Sequence, residues 1–518
     1  MIDTAALREK VLDLAIRGKL VPQDPTDEPA SVLLERIHEQ KLQMVREGKL
    51  KAKDVKDDTI IFKGDDNCYY EKFSDGTIKN IQDEIPFDLP NGWSWTKLKN
   101  IVIKEIKRGK APVYTNKSNV LVFAQKCNLK RGGINIDLAQ YLDETTLKKY
   151  SVDEFLRIND IVINSTGTGT LGRVGILHKD CFSQIINIVP DTHVTVVRVH
   201  DAIVSDYVFI TLKQMQAIIE TKGEGSTNQK ELRPEYIKKI FIPIPPYNEQ
   251  IRIVGIVEES FNTAVIVDSV DNELKNIISL LKSKILELAI QGKLVPQDEN
   301  DEPASVLLER IRTERKAKLG KKYVESYIYK GDDNCYYENM PKNWVKCRLS
   351  DIADLERGIT FSASAKETIK TKKNIACIRT ANVQDELDLD DLIYVDRAYT
   401  KNNERKLLRV GDIIMSSANS KELVGKSCIV KHFDGEMTFG GFVLVIRSIQ
   451  IIPEFLLICL KYLFLKGAFY NESTQTTNIA NISTKTIESL GISLPPLMEQ
   501  QRIINKITTL FNILKDGV

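Results

Sequence analysis

From Glu249 onward the chain places apolar residues at Val254, Val257, Phe261, Ala264, Val267, Val270, Leu274, Ile277, Leu281, Ile285 and Leu288, in steps of three and four. That spacing is the seam of a coiled coil, and it predicts one helix over 249–291. Pro245-Pro246 stops the strand before it, Asn248 is placed to cap the helix start, and Gly292 to close its end. At ~1.5 Å per residue such a helix is about 65 Å long, more than the diameter of a small domain. A shorter copy starts at Glu499 and reaches Val518 after about five turns.

Outside these stretches the period shortens. Runs rich in β-branched residues at Asn119–Ala124, Asp160–Asn164, Val194–Val199, Asn374–Ile378, Asp412–Met415 and Phe442–Ile446 predict strands. Tyr207–Glu220 and Glu454–Leu465 predict helices at matching places. The regions 86–247 and 339–497 therefore read as two mixed α/β (α+β) domains, each of about 160 residues, a usual domain size.

An internal repeat organises the whole. LDLAIRGKLVPQDPTDEPASVLLERI (Leu12–Ile37) returns as LELAIQGKLVPQDENDEPASVLLERI (Leu286–Ile311), identical at 22 of 26 positions. KGDDNCYYE occurs at Lys63–Glu71 and again at Lys330–Glu338, and LPNGWSWTKL (Leu89–Leu98) answers MPKNWVKCRL (Met340–Leu349). The likeness fades through the next stretch, then returns: TNQKELRPEYIKKIFIPIPPYNEQIRIV (Thr227–Val254) aligns with TNIANISTKTIESLGISLPPLMEQQRII (Thr477–Ile504). Duplication followed by drift would not spare exposed polar runs such as DEPAS while rewriting the middles. Shared edges indicate a common scaffold or partner, and divergent middles two different ligands.

The segment 1–50 is the counterpart of 276–320, so the C-terminal helix together with the N-terminal segment would rebuild the element intact at 249–320. The expected architecture is circularly organised, with two antiparallel coiled-coil spacers holding the two domains in pseudo-two-fold relation. Two-fold symmetry of that kind mirrors paired DNA half-sites.

Composition changes this picture little. Among 518 residues, 73 basic and 71 acidic side chains leave a net charge of +2, so any contact with nucleic acid must come from local patches. The eight cysteines form no CxxC pair and no zinc-ligand spacing, which argues against a disulfide framework and fits a reducing cytosol. Met1–Lys10 lacks the apolar core of a secretory signal. Phe455–Phe464, interrupted by Lys461, is too short to span a bilayer and reads as a buried helix.

Several motifs suggest chemistry and fail on context. Gly167–Gly172 matches GxGxxG after a strand, but RVGIL follows as another strand, so no helix N-terminus faces a phosphate. The second copy around Val424-Gly425-Lys426-Ser427 keeps the hairpin and has Ser420 where a phosphate loop needs its first glycine. Pro245-Pro246-Tyr247 is similar to the PPY core of amino-methyltransferases, yet Ile244 stands where a polar acceptor is required, and the other copy reads Leu494-Pro-Pro-Leu497. A strand-to-helix corner is the better reading. His178, His193 and His200 lack partners at metal-ligand spacing. No nucleophile or nuclease constellation emerges. The basic run Arg312–Lys322 reads as a solvated helix end or a phosphate contact.

The doubled IPIPPYNEQIRIV and ISLPPLMEQQRII corners, with the LAIxGKLVPQ…DEPAS segments, resemble the specificity subunits of type I restriction–modification systems along the whole chain. The resemblance implies a non-catalytic subunit whose middles, 86–247 and 339–497, are target-recognition domains, each reading half of a split double-stranded DNA site. It implies that conserved segments 1–60, 248–322 and 498–518 form the helical spacer and dock two methyltransferase subunits, which use S-adenosylmethionine to methylate adenine N6. Motor/nuclease subunits would join with ATP and Mg2+, no cofactor would be bound by this chain, and the setting would be the cytoplasm. A coiled-coil protein scaffold without DNA readout, or a fused methyltransferase, are the alternatives; the first leaves the divergent middles unexplained and the second lacks its cofactor loop.

Base readout calls for Arg at guanine, Asn or Gln at adenine and Ser/Thr at either, with Lys, Arg and backbone amides on phosphates. Loop positions of those types in the first domain are Arg108, Lys110, Gln125, Lys126, Asn128, Thr166, Thr168, Arg173, Ser226, Thr227, Asn228 and Gln229. In the second they are Arg357, Thr360, Ser362, Arg379, Thr380, Asn382, Ser417, Asn419, Lys426, Gln475, Thr476, Thr477 and Asn478. Gln125 aligns with Arg379 and Asn128 with Asn382. For each residue the alternative is an ordinary solvated loop side chain.

Overall fold

The computed structural model describes residues 2–130, 132–167, 169–182, 187–225, 230–320, 323, 340–471, 474–476 and 479–516. The chain divides into two compact units, Met1–Asp271 and Asn272–Val518.

In the first unit an antiparallel sheet runs in the order Val174–Ile176, Ile161–Asn164, Val194–Val197, Lys107–Arg108. A second sheet runs Asn187–Pro190, Val120–Phe123, Gln140–Leu142, Tyr114–Thr115, its first pair parallel and the others antiparallel. The strands Val120–Phe123, Ile161–Asn164 and Val194–Val197 are buried at every position. That explains why they read as continuous apolar runs without alternation, since both faces are covered. The helix Ser205–Gln214 packs Tyr207, Val208, Ile210 and Leu212 into the same core as Ile161, Ile163 and Val174. An antiparallel ribbon of Ser94–Lys97 with Phe241–Ile244 leads into the Pro-Pro corner.

The second unit repeats this order. Its antiparallel sheet runs Ser427–Ile429, Ile413–Ser416, Val443–Ser448, Ala353–Arg357. Met437–Phe439 lies parallel to Asn374–Ile378, which pairs antiparallel with Ile393–Asp396, and Val345–Arg348 pairs with Gly491–Leu494. The helix Pro453–Leu465 takes the place of Ser205–Gln214. Middles that have lost their sequence likeness therefore keep the strand order of the antiparallel sheet, while the sheet built on Asn374–Ile378 has three strands where its counterpart has four, and both are mixed helix and sheet.

The long helix spans Tyr247–Ile290, 44 residues, or about 66 Å at the α-helical rise. It starts earlier than the sequence suggests, so Asn248 lies inside the first turn, where its Nδ2 donates to Asp27 Oδ1 at 2.9 Å instead of capping. Its end behaves as expected. Gly292 N donates to Ala289 O and Lys293 N to Leu288 O, the paired bonds of a Schellman motif, with Gly292 at φ +68°. The first copy does the same at Gly18, φ +63°.

The apolar seam expected along this helix is covered only in part. Ile253 and Val257 join the core of the first unit, Leu286 and Ala289 that of the second. Between them Val270, Leu274, Ile277 and Leu281 are exposed, because each unit's own core reaches only one end of the helix. The predicted helix Tyr207–Glu220 is two pieces, Ser205–Gln214 and Gln216–Thr221; Gln216 Oε1 accepts from the edge-strand amide of Val174 at 3.2 Å.

Candidate nucleic-acid interface

The repeated edges of the sequence close on each other inside each unit. In the first, Trp93 Nε1 donates to Glu249 Oε2 at 3.1 Å, and Gln250 bridges the Pro245 carbonyl (3.0 Å) and the Val204 amide (2.9 Å). Arg252 pairs with Asp27 of the DEPAS segment at 2.8 Å. In the second, Trp344 donates to Glu499 at 2.9 Å, Gln500 bridges Pro495 O and Ile452 N, and Arg502 pairs with Asp301 at 2.6 Å. Burial pushes both glutamates above the usual carboxylate range, against the opposing pull of the indole N–H. The PPxxEQxR motif thus fastens each middle to its own flanking segments and does no chemistry.

The loops of the two middles carry different side chains. In the first unit Arg108 ion-pairs with Glu231 and donates to the Leu232 carbonyl at 2.8 Å, while burial lowers its pKa. In the second, Arg357 donates to Asn481 Oδ1 at 3.3 Å and to the Gly441 carbonyl at 3.1 Å. Each arginine is followed by a glycine for a steric reason. A Cβ on Gly109 would lie 2.0 Å from Pro190 O, and one on Gly358 2.2 Å from Gly440 O. Both strands press against the same kind of turn.

The remaining sequence-chosen residues sort into three groups. Asn128, Arg173, Asn382 and Ser417 are buried, with donors spent on backbone carbonyls: Asn128 on Arg173 O, Arg173 on Asn128 O and Gly169 O, Asn382 on Asp388 O and Asp391 O, Ser417 on Phe442 O. Lys110 pairs with Glu154 at 2.6 Å and sits over the Tyr150 ring. Arg379 pairs with Asp391 at 2.7 Å and Asn419 Nδ2 bonds Ser416 Oγ at 3.2 Å. A second group lines the loop surface. Gln125 accepts from Thr170 Oγ1 at 3.0 Å, Thr166 shares a bond with His193 Nδ1, Lys426 donates to Gln384 Oε1 at 2.8 Å, and Ser362 bonds Ser364. Lys126 and Thr360 are exposed and Thr380 half-buried. The third group, Thr168, Ser226, Thr227, Asn228, Gln229, Thr477 and Asn478, lies outside the described residues. Gln475 and Thr476 are on the strand Thr474–Thr476.

The basic run is partly committed as well: Arg315 pairs with Asp354 at 2.8 Å. Two turn residues were not among the base-reading candidates of the sequence. His193 and Phe442 sit on the turns that Gly109 and Gly358 approach, and both are exposed. Phe442 precedes its expected strand, which starts at Val443. Among the described residues no group of three or more His, Cys, Asp or Glu could hold a metal ion, and no helix is long and apolar enough to cross a membrane.

Two units with one antiparallel strand order and one fastening, but differently furnished loops, define a tandem recognition protein. The family described as type I restriction modification DNA specificity domain matches residues 90–276 and 341–517. The chain belongs to that family of DNA-specificity subunits, which are non-catalytic recognition components. It is similar to the type I restriction enzyme EcoEI specificity subunit of Escherichia coli, 27% identical over 576 residues, covering 98% of this chain and 89% of the relative. The EcoAI specificity subunit of the same organism is 27% identical over 573 residues, covering 97% and 88%. A chain solved in work on complex assembly and conformational transition of the type I R-M system shares the fold, with TM-score 0.51 at 15% identity, covering 83% of this chain and 93% of that one.

Proposed function

We propose that the chain reads a bipartite double-stranded DNA site, one half with the domain at 86–247 and the other with that at 339–497. In this reading it docks two methyltransferase subunits, which methylate adenine N6 from S-adenosylmethionine, and motor/nuclease subunits that use ATP and Mg2+, in the cytoplasm. The carrying observation is that one order of strands in the four-stranded antiparallel sheets supports unlike loop residues at corresponding places, Gln125 against Arg379 and Glu231 against Asn481. A common frame with different donors and acceptors is what reading two different half-sites requires.

The spacer belongs to the same proposal. Antiparallel coiled-coil helices, in a pseudo-two-fold and circular arrangement, hold the two domains at a fixed separation along the duplex. The exposed apolar residues between Val270 and Leu281 are consistent with a surface that gains cover on assembly. A protein-only scaffold would need the shared edges but not the differing loop ends.

Binding of the full chain with its methyltransferase partner to duplex DNA, followed by gel shift across salt, tests the reading. The expected result is binding to a split site with a steep negative log–log salt slope; sequence-blind binding, or none, would favour the scaffold. Exchange of 86–247 for the corresponding domain of a relative is expected to change one half-site and leave the other.

A further inference from the structure

The strongest unassigned feature is the turn that enters the third strand of each antiparallel sheet. In the first unit it is Asp191–His193, in the second Gly440–Phe442. Four matched pairs of backbone bonds show that the two turns correspond. Asp191 N donates to Phe123 O and Gly440 N to Ile378 O; Ser165 N donates to His193 O and Ser417 N to Phe442 O. Gly109 N donates to Val194 O and Gly358 N to Val443 O, both at 3.1 Å, and Leu232 N and Ile482 N donate to Ser165 O and Ser417 O. His193 and Phe442 therefore occupy one position in two copies of a fold.

Both side chains project from that position into solvent, beside groups of the loop end. Phe442 is 61% exposed although its own backbone is held by the neighbouring strand. Arg357 donates to the carbonyl of the preceding residue, Ser417 Oγ donates to the Phe442 carbonyl at 3.0 Å, and a Cβ on Gly441 would lie 3.3 Å from Thr360 Oγ1. His193 shares a bond of 2.7 Å between Nδ1 and Thr166 Oγ1, and among the described residues no hydrogen bond engages Nε2. A single exposed apolar residue is ordinary on a protein surface. What sets this position apart is that it recurs in both units, with the backbone fixed and the side-chain chemistry changed from polar to apolar.

We infer that His193 and Phe442 are corresponding specificity-determining residues, His193 offering its Nε2 to a base edge and Phe442 offering an apolar contact of the kind a thymine methyl accepts. The inference rests on the reading of the domains as DNA-reading modules. It assigns one position to each half-site and predicts that the two half-sites are read there by different chemistry, hydrogen bonding in one and apolar contact in the other.

The test uses the full chain with its methyltransferase partner and a library of duplexes randomised across the site that the wild-type complex selects. Phe442→Ala is expected to reduce the preference at one base pair of one half-site about tenfold and leave the other half intact. His193→Ala is expected to do the same in the opposite half. Phe442→His and His193→Phe should replace the preference at those pairs, with melting temperatures unchanged. Unaltered preferences in all four folded variants would overturn the assignment, as would uniform weakening across all sequences, which marks a generic anchor. A wild-type complex that selects no split site would instead overturn the underlying reading.

Discussion

Glu154, at the end of the short 3-10 helix Val152–Glu154, shows how a single residue carries stability. Burial drives its pKa up, but Lys110 at 2.6 Å, the Ser151 amide at 2.9 Å and Lys107 at 3.0 Å outweigh it and hold the value at about 2, against 4.5 for an ordinary glutamate. A folded-state pKa below the unfolded one contributes stability that is complete above the unfolded value and is lost as pH falls through the folded one. Thermal melts between pH 4.5 and 2 should therefore show a falling melting temperature that flattens in Glu154→Gln. Gly292 is constrained differently. Its φ of +68° disfavours any side chain, and a Cβ would lie 2.3 Å from Pro341 Cγ. Gly292→Ala is expected to cost more than about 1 kcal/mol in urea unfolding. At this scale the sequence was legible in kind and not in use. Asn128, Arg173 and Asn382 are of the types that read bases, and the fold spends them on buried carbonyls. The same amides and guanidinium that match a base edge also satisfy a backbone group, and composition alone does not separate the two.

At the scale of elements the repeated motifs acquire a physical reason. Glu-Gln-x-Arg meets Trp, the amide ahead of a core helix, and the DEPAS acid, so residues far apart in sequence fix where the long helices leave each middle. Trp344→Phe would leave Glu499 buried without its indole donor, and Arg502→Ala would leave Asp301 without its guanidinium. Each should cost about 1–3 kcal/mol in denaturant unfolding of the full chain. Arg36→Ala, which breaks a pair with the half-exposed Glu28, should cost less. The period of the apolar residues located the long helix and its Schellman end, but placed Asn248 as a cap. Its tertiary partner Asp27, 221 residues earlier, took that side chain instead. Contacts of that range leave no local trace.

For the whole molecule the open question is distance. If the spacer helices act as a ruler, inserting one helical turn near residue 270 should lengthen the spacer between the half-sites that are modified in a host carrying the complete system. Sequencing of methyladenine in that host reads the outcome, and an unchanged spacer would mean that the helices do not set the separation. The position is suited to the test, because Val270 lies in the exposed stretch and an insertion there disturbs neither core.

Taken by itself, the sequence determined the duplication, the family, the long helix and the mixed composition of the middles. These follow from local periodicity and from identity between copies, which need no knowledge of what folds against what. Tertiary structure alone decided that the diverged middles share the strand order of their antiparallel sheets, that PPxxEQxR is a fastening, and which polar loop residues are already occupied. It also gave His193 and Phe442 corresponding positions in their own units, because that correspondence is carried by backbone hydrogen bonds, which survive when side chains change.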